Sequence, residues 1–67
     1  MEINYEYKED KNLVHELEAN ATVKDLLTSL NIPSNTVIVV RAGSLILEDE
    51  TLEDKDTIQI LTAISGG

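Results

Sequence analysis

The chain has 67 residues, no Cys, and 13 Asp and Glu against 5 Lys and Arg, for a formal net charge of −8. That length allows one domain; the charge argues against binding to a nucleic-acid backbone or an anionic membrane surface, both of which need clustered cations; the lack of Cys removes disulfides and thiolate metal sites, and with a single His no metal-ligand set is expected. Ile, Leu and Val supply 21 of the 67 residues, so an aliphatic core has to hold the domain.

Residues 1–8, MEINYEYK, alternate. Met1, Ile3, Tyr5 and Tyr7 share one side, and Glu2, Asn4, Glu6 and Lys8 the other. This is the period of a half-buried strand. Residues 9–12, EDKN, are polar and predict a turn. Residues 13–18, LVHELE, form a second short strand with Leu13, His15 and Leu17 on one face, so the two strands read as a hairpin.

Residues 22–30, TVKDLLTSL, carry the signature of a helix. Thr22 is a good N-cap, and Asp25 three residues on makes a capping-box pair. Val23, Leu26, Leu27 and Leu30 fall at i, i+3, i+4 and i+7, one face of the helix. Asn31 can end it, and Pro33 forbids its continuation.

Residues 36–41, TVIVVR, predict a third strand, apolar on both faces. Residues 42–44, AGS, predict a turn, and residues 45–47, LIL, a short return strand. Residues 48–56, EDETLEDKD, form an acidic run, with Leu52 expected to plug the loop onto the core. Residues 57–63, TIQILTA, predict the last strand. A hairpin, a crossover helix and further strands make an α+β sheet crossed by one helix. The arrangement is a β-grasp of four or five strands over residues 1–63, followed by a flexible tail at 64–67.

The side chains offer no enzyme constellation. His15 lies in an apolar row, which reads as a partly buried strand residue, so the serines lack an evident general base. No stretch of 18 apolar residues suggests a membrane span, Met1 leads into an acidic segment rather than a signal peptide, and the cytoplasm is the default compartment.

The remaining chemistry is at the end of the chain, Gly66-Gly67. A terminal carboxylate is an anion at neutral pH, with a pKa of about 3.3–3.7, and a poor electrophile until it is esterified. Nothing in this chain can do that, so a separate enzyme has to hold it. Residues without a β-carbon can enter a narrow channel and leave the carbonyl open to attack.

The body together with the SGG end resembles the ubiquitin-like sulfur carriers, the thiamin-pathway carrier (ThiS) and the molybdopterin-synthase small subunit (MoaD). The last third, VVRAGSLILEDETLEDKDTIQILTAISGG, carries most of the likeness and is also similar to ubiquitin. The resemblance implies a carrier, not an enzyme. An activating enzyme would adenylate Gly67 with ATP, and sulfur would replace the adenylate to give a thiocarboxylate. The implied partners are that enzyme, a sulfur donor, and a thiazole or molybdopterin synthase; no cofactor would be bound to the carrier, which is expected to be a monomer alone. Gly66 and Gly67 would be the working residues. Ile38, Val40, Leu61 and Ile64 would form an outward-facing docking surface, since relatives meet their activating enzymes through this face. Two other readings of the chain stand beside it: a protein modifier joined through Gly67 to target lysines, and a non-catalytic interaction domain. Asp54-Lys55-Asp56 and Ala42-Gly43 stand where many relatives have Asp-Gly-Asp and Asn-Gly. A site needing φ > 0 would be strained by Lys55.

Overall fold

The computed structural model describes residues 1–63. Five strands and one helix follow in the order β1 (Glu2–Tyr7), β2 (Asp10–Glu16), α1 (Val23–Ser29), β3 (Val37–Arg41), β4 (Ser44–Ile46) and β5 (Thr57–Thr62), with a 3₁₀ turn at Ser34–Thr36 before β3. The sheet order is β2-β1-β5-β3-β4. β1 and β5 are parallel and central, and the other pairings are antiparallel. This is the five-stranded mixed sheet with one helix expected of a β-grasp.

The apolar row of the helix decides which face of the sheet it covers. Val23, Leu26 and Leu27 are buried against Ile3, Val39, Ile58 and Ile60, with Ile32 and Leu52 closing the core. Leu30, also expected in that row, is only partly buried. So are Leu13 on β2, an edge strand among the described residues, and Leu17 just beyond it.

A seven-residue helix is too short to be stable alone, and its ends show how the rest of the chain supports it. Asp25 N donates to Thr22 Oγ1 at 3.3 Å, and Thr22 N donates back to an Asp25 carboxylate oxygen at 2.9 Å, which completes the capping box. The remaining free N–H groups of the first turn go to the acidic loop. Val23 N donates to Glu50 O at 3.0 Å and Lys24 N to Glu48 O at 2.8 Å. At the other end Asn31 adopts φ 60°. Asn31 N donates to Thr28 O and Ile32 N to Leu27 O, a Schellman close that folds Ile32 into the core.

Two turns differ from the sequence reading. The β1–β2 turn is Lys8-Glu9, not residues 9–12, and β2 starts three residues early at Asp10. Lys8 (φ 56°) takes the positive φ, and Asn12 (φ 59°) lies where the register shifts between Tyr5↔Leu13 and Tyr7↔Asp10, a bulge. The short return strand is Ser44–Ile46, one residue earlier than expected, so the β3–β4 turn is the two residues Ala42 (φ 54°) and Gly43 (φ 80°). Positive φ at both central positions is the primed turn that suits twisted strands. Ala42 meets that requirement poorly, whereas Asn tolerates it. Ala42→Asn is therefore expected to stabilise the domain by roughly 0.5–1 kcal/mol, read as a higher midpoint in urea with an unchanged slope.

Leu52 is buried, as expected of a plug. Arg41, at the end of β3, provides a second anchor for the loop. One Arg41 nitrogen donates to Thr51 O and to Asp56, both at 3.2 Å, and the other lies 3.4 Å from Glu50. Asp56 also accepts from Glu53 N at 2.8 Å. The acidic 48–56 run is thus held on both sides: the Glu48 and Glu50 carbonyls cap α1, and the Glu50 and Asp56 carboxylates meet one guanidinium.

Candidate functional site

With α1 on one face of the sheet, the other face is open. Strand register places side chains there directly. Ile38 lies opposite Leu61, and Val40 lies between Leu45 and Gln59. Leu47 continues the side of Leu45. Leu45 and Leu47 are 62% and 65% exposed, Leu61 47% and Ile38 38%, while Val40 is half-buried among its cross-strand neighbours. The predicted outward residues Ile38, Val40 and Leu61 therefore come together. Leu45 and Leu47, absent from the sequence-predicted set, are the most exposed members. Alternation along β3 and β5 revealed the first three; the other two required the pairing of β4 with β3. Contiguous exposed apolar side chains of this kind mark partner surfaces.

The β1–β2 half of the same face has a different character. Glu2 and Glu16 lie opposite each other, and Glu6 lies beside Gln59 with a 3.1 Å hydrogen bond. Val14 is the one large apolar side chain exposed there among the described residues. The open face thus runs from acidic to apolar, and β5, on which the chain leaves the sheet, borders the apolar half. Ala63 N donates to Thr36 O at 2.9 Å at that end. Ile64, Gly66 and Gly67 lie outside the described residues.

The opposite end of β5 is tied down by polar contacts. Glu2 N donates to Asp54 at 2.7 Å, Lys55 N to Glu2 O at 2.7 Å, and Asn4 N to Asp56 O at 2.8 Å. The Glu2 amide is the main cause holding the Asp54 carboxyl below its ordinary pKa. Lys55 adopts φ 70°, so the positive φ suspected at this turn is real. Its ammonium lies 2.8 Å from Glu2, which pushes its pKa up. Both groups are exposed and fix the turn, not any chemistry.

His15 and Ser29 meet, contrary to the sequence expectation: His15 Nε2 and Ser29 Oγ share a hydrogen bond of 2.5 Å. The apolar row on β2 faces the end of α1, which brings the two together. The pair ties β2 to the end of α1.

The apolar part of the open face thus borders β5, the strand that precedes the Gly66-Gly67 end in the sequence. Comparison with known proteins places the chain in a family. The ThiS family pattern matches residues 1–67. The chain belongs to the ThiS family. Sulfur carrier protein TtuB of Thermus thermophilus is 33% identical over 52 residues, 78% of this chain and 80% of TtuB. Among solved structures, SAMP1 of Haloferax volcanii superposes with a TM-score of 0.74 at 16% identity, and the thiamine biosynthesis protein ThiS of Geobacter metallireducens with 0.71 at 21%, each over all of both chains. A ubiquitin of Caldiarchaeum subterraneum gives 0.64 at 23% identity, covering 98% of this chain and 94% of that one. At these identities the structural likenesses establish the shared ubiquitin-like β-grasp. Among the described residues no helix is long and apolar enough to cross a membrane.

Proposed function

We propose that this ThiS-family chain is a sulfur carrier whose reactive group is the carboxylate of Gly67. The observation that carries this reading is the family match, which runs through the Gly66-Gly67 end. The likeness to a protein named as a sulfur carrier supports it. A separate activating enzyme would supply ATP. A Gly67 carboxylate oxygen attacks the α-phosphorus, pyrophosphate leaves, and a mixed anhydride with AMP remains. A persulfide or sulfide sulfur then attacks the acyl carbon and AMP leaves with the bonding pair; a persulfide adduct needs a reducing thiol to cleave its S–S bond and release the thiocarboxylate. The carrier does no catalysis in this scheme. Ile38, Val40, Leu45, Leu47 and Leu61 hold it on the activating enzyme. The family assignment favours the thiazole-forming step of thiamin biosynthesis as the sulfur acceptor.

Intact mass of the protein purified from its own cells tests the reading. A fraction with one oxygen replaced by sulfur is expected. Covalent adducts with other proteins, and no such fraction, would make the chain a protein modifier instead. The docking face has its own test. Leu61→Asp is expected to raise the KM for the carrier at the activating enzyme at least about tenfold, as loss of a central interface side chain does, with the thermal midpoint nearly unchanged because Leu61 is exposed. Unfolding of this variant would mean that Leu61 supports the core instead.

A further inference from the structure

The edge of the sheet beside β3 is incomplete. β4 pairs with Val39, Val40 and Arg41 only, so among the described residues Val37 and Ile38 have no strand neighbour on that side. The chain turns away after Ile46: Glu50 N bonds Leu47 O at 3.1 Å, and the Glu48 carbonyl is taken by Lys24 N. The gap is a notch of about 240 Å³ floored by Val23 and Leu27 of α1 and walled by Val37, Val39, Ile46 and Leu47. That is smaller than the roughly 300–1,000 Å³ of small-molecule sites, and suits one or two aliphatic side chains.

The backbone adds a direction. Thr36 O accepts from Ala63 N on the β5 side. Alternation then turns the Val37 carbonyl the opposite way, into the notch, with Val37 itself extended at φ −135° and ψ 159°. Among the described residues no N–H of the 47–50 segment reaches that carbonyl. An apolar hollow beside an unpaired strand acceptor is what an extended segment needs in order to add to a sheet.

Charge identifies the occupant. Glu48 lines the notch and Asp49 follows it, with Lys24, whose amide bonds the Glu48 carbonyl, the one cation beside them among the described residues. A second copy, also carrying −8, would be repelled. We propose that this notch docks an extended apolar segment of a partner protein, with basic residues at the segment's ends, which adds to β3 at Val37. The site adjoins the open-face apolar patch through Ile38, Leu45 and Leu47, so one partner can cover both.

The test needs no activating enzyme, so it stands or falls apart from the sulfur-carrier reading. The folded protein, labelled with ¹⁵N, is titrated with a short peptide of alternating Val and Thr bearing Lys at both ends. Saturable amide shifts are expected at Val37 to Val39 and Ile46 to Glu48 below about 1 mM. Glu48→Lys, or Glu in place of the terminal lysines, should weaken binding about threefold, the size of an exposed ion pair. Proline at the centre of the peptide removes the donor for Val37 and should abolish the shifts. No saturation by about 1 mM, shifts confined to Val40 and Leu61, undiminished binding when either charge is reversed, or undiminished binding of the proline peptide would each overturn the proposal.

Discussion

Deleting Gly67 is expected to abolish ATP–pyrophosphate exchange by a cognate activating enzyme while leaving the thermal midpoint where it was. The two halves of this expectation have separate grounds. Exchange requires a free carboxylate at the right distance from the nucleotide, and removing one residue withdraws it by about 3.3–3.6 Å, enough to break a near-attack geometry. Stability resides elsewhere, because every buried core residue described lies between Ile3 and Ile60. Appending one residue after Gly67 should be equally damaging, since it converts the carboxylate into a peptide bond. Gly66→Val should impair exchange by widening and stiffening the approach. Undiminished exchange by the chain lacking Gly67 would remove the terminal glycines from the mechanism.

Leu26→Ala should have the largest effect on stability. Leu26 is 0% exposed and sits in the middle of the contact between α1 and the sheet. Its truncation costs the lost transfer free energy plus the cavity left behind, together about 2–5 kcal/mol. A small domain has a total stability of only about 5–15 kcal/mol, so the thermal midpoint should fall by at least about 10 °C. Calorimetry of the variant, with Leu30→Ala as the half-buried comparison, checks it. Equal losses at the two positions would mean that the helix face has been assigned wrongly.

How much of this was legible in the sequence depends on the range of each signal. The helix was readable because its cap, its apolar row and its Asn31-Pro33 stop lie within a dozen residues. The strand faces were readable from alternation, which needs only neighbours. The first hairpin turn was not, because Lys8 carries no turn signal and the positive φ it adopts is imposed by the twist of the pair. Arg41 could not be read as an anchor, since its partners Glu50, Thr51 and Asp56 return to it only after β4 and the acidic loop have folded back. Leu45 and Leu47 entered the candidate docking surface only once register joined β4 to β3. The contact of His15 with Ser29 likewise depends on β2 meeting the end of α1.

The parallel pairing of β1 with β5 has a mechanical consequence. The first and last strands lie side by side, with Asn4 to Tyr7 matched to Thr57 to Ile60, and β5 is flanked on its other side by β3. A pull on the C-terminal end against the N-terminal strand runs along these strands, not across them. The ladder bonds on both sides of β5 are then loaded together in shear and cannot open one at a time. An enzyme can therefore haul on the tail while the body stays folded. A protease or unfoldase that grips the same end should stall at β5, and should make faster progress once the β1–β5 ladder is broken by a proline in β1.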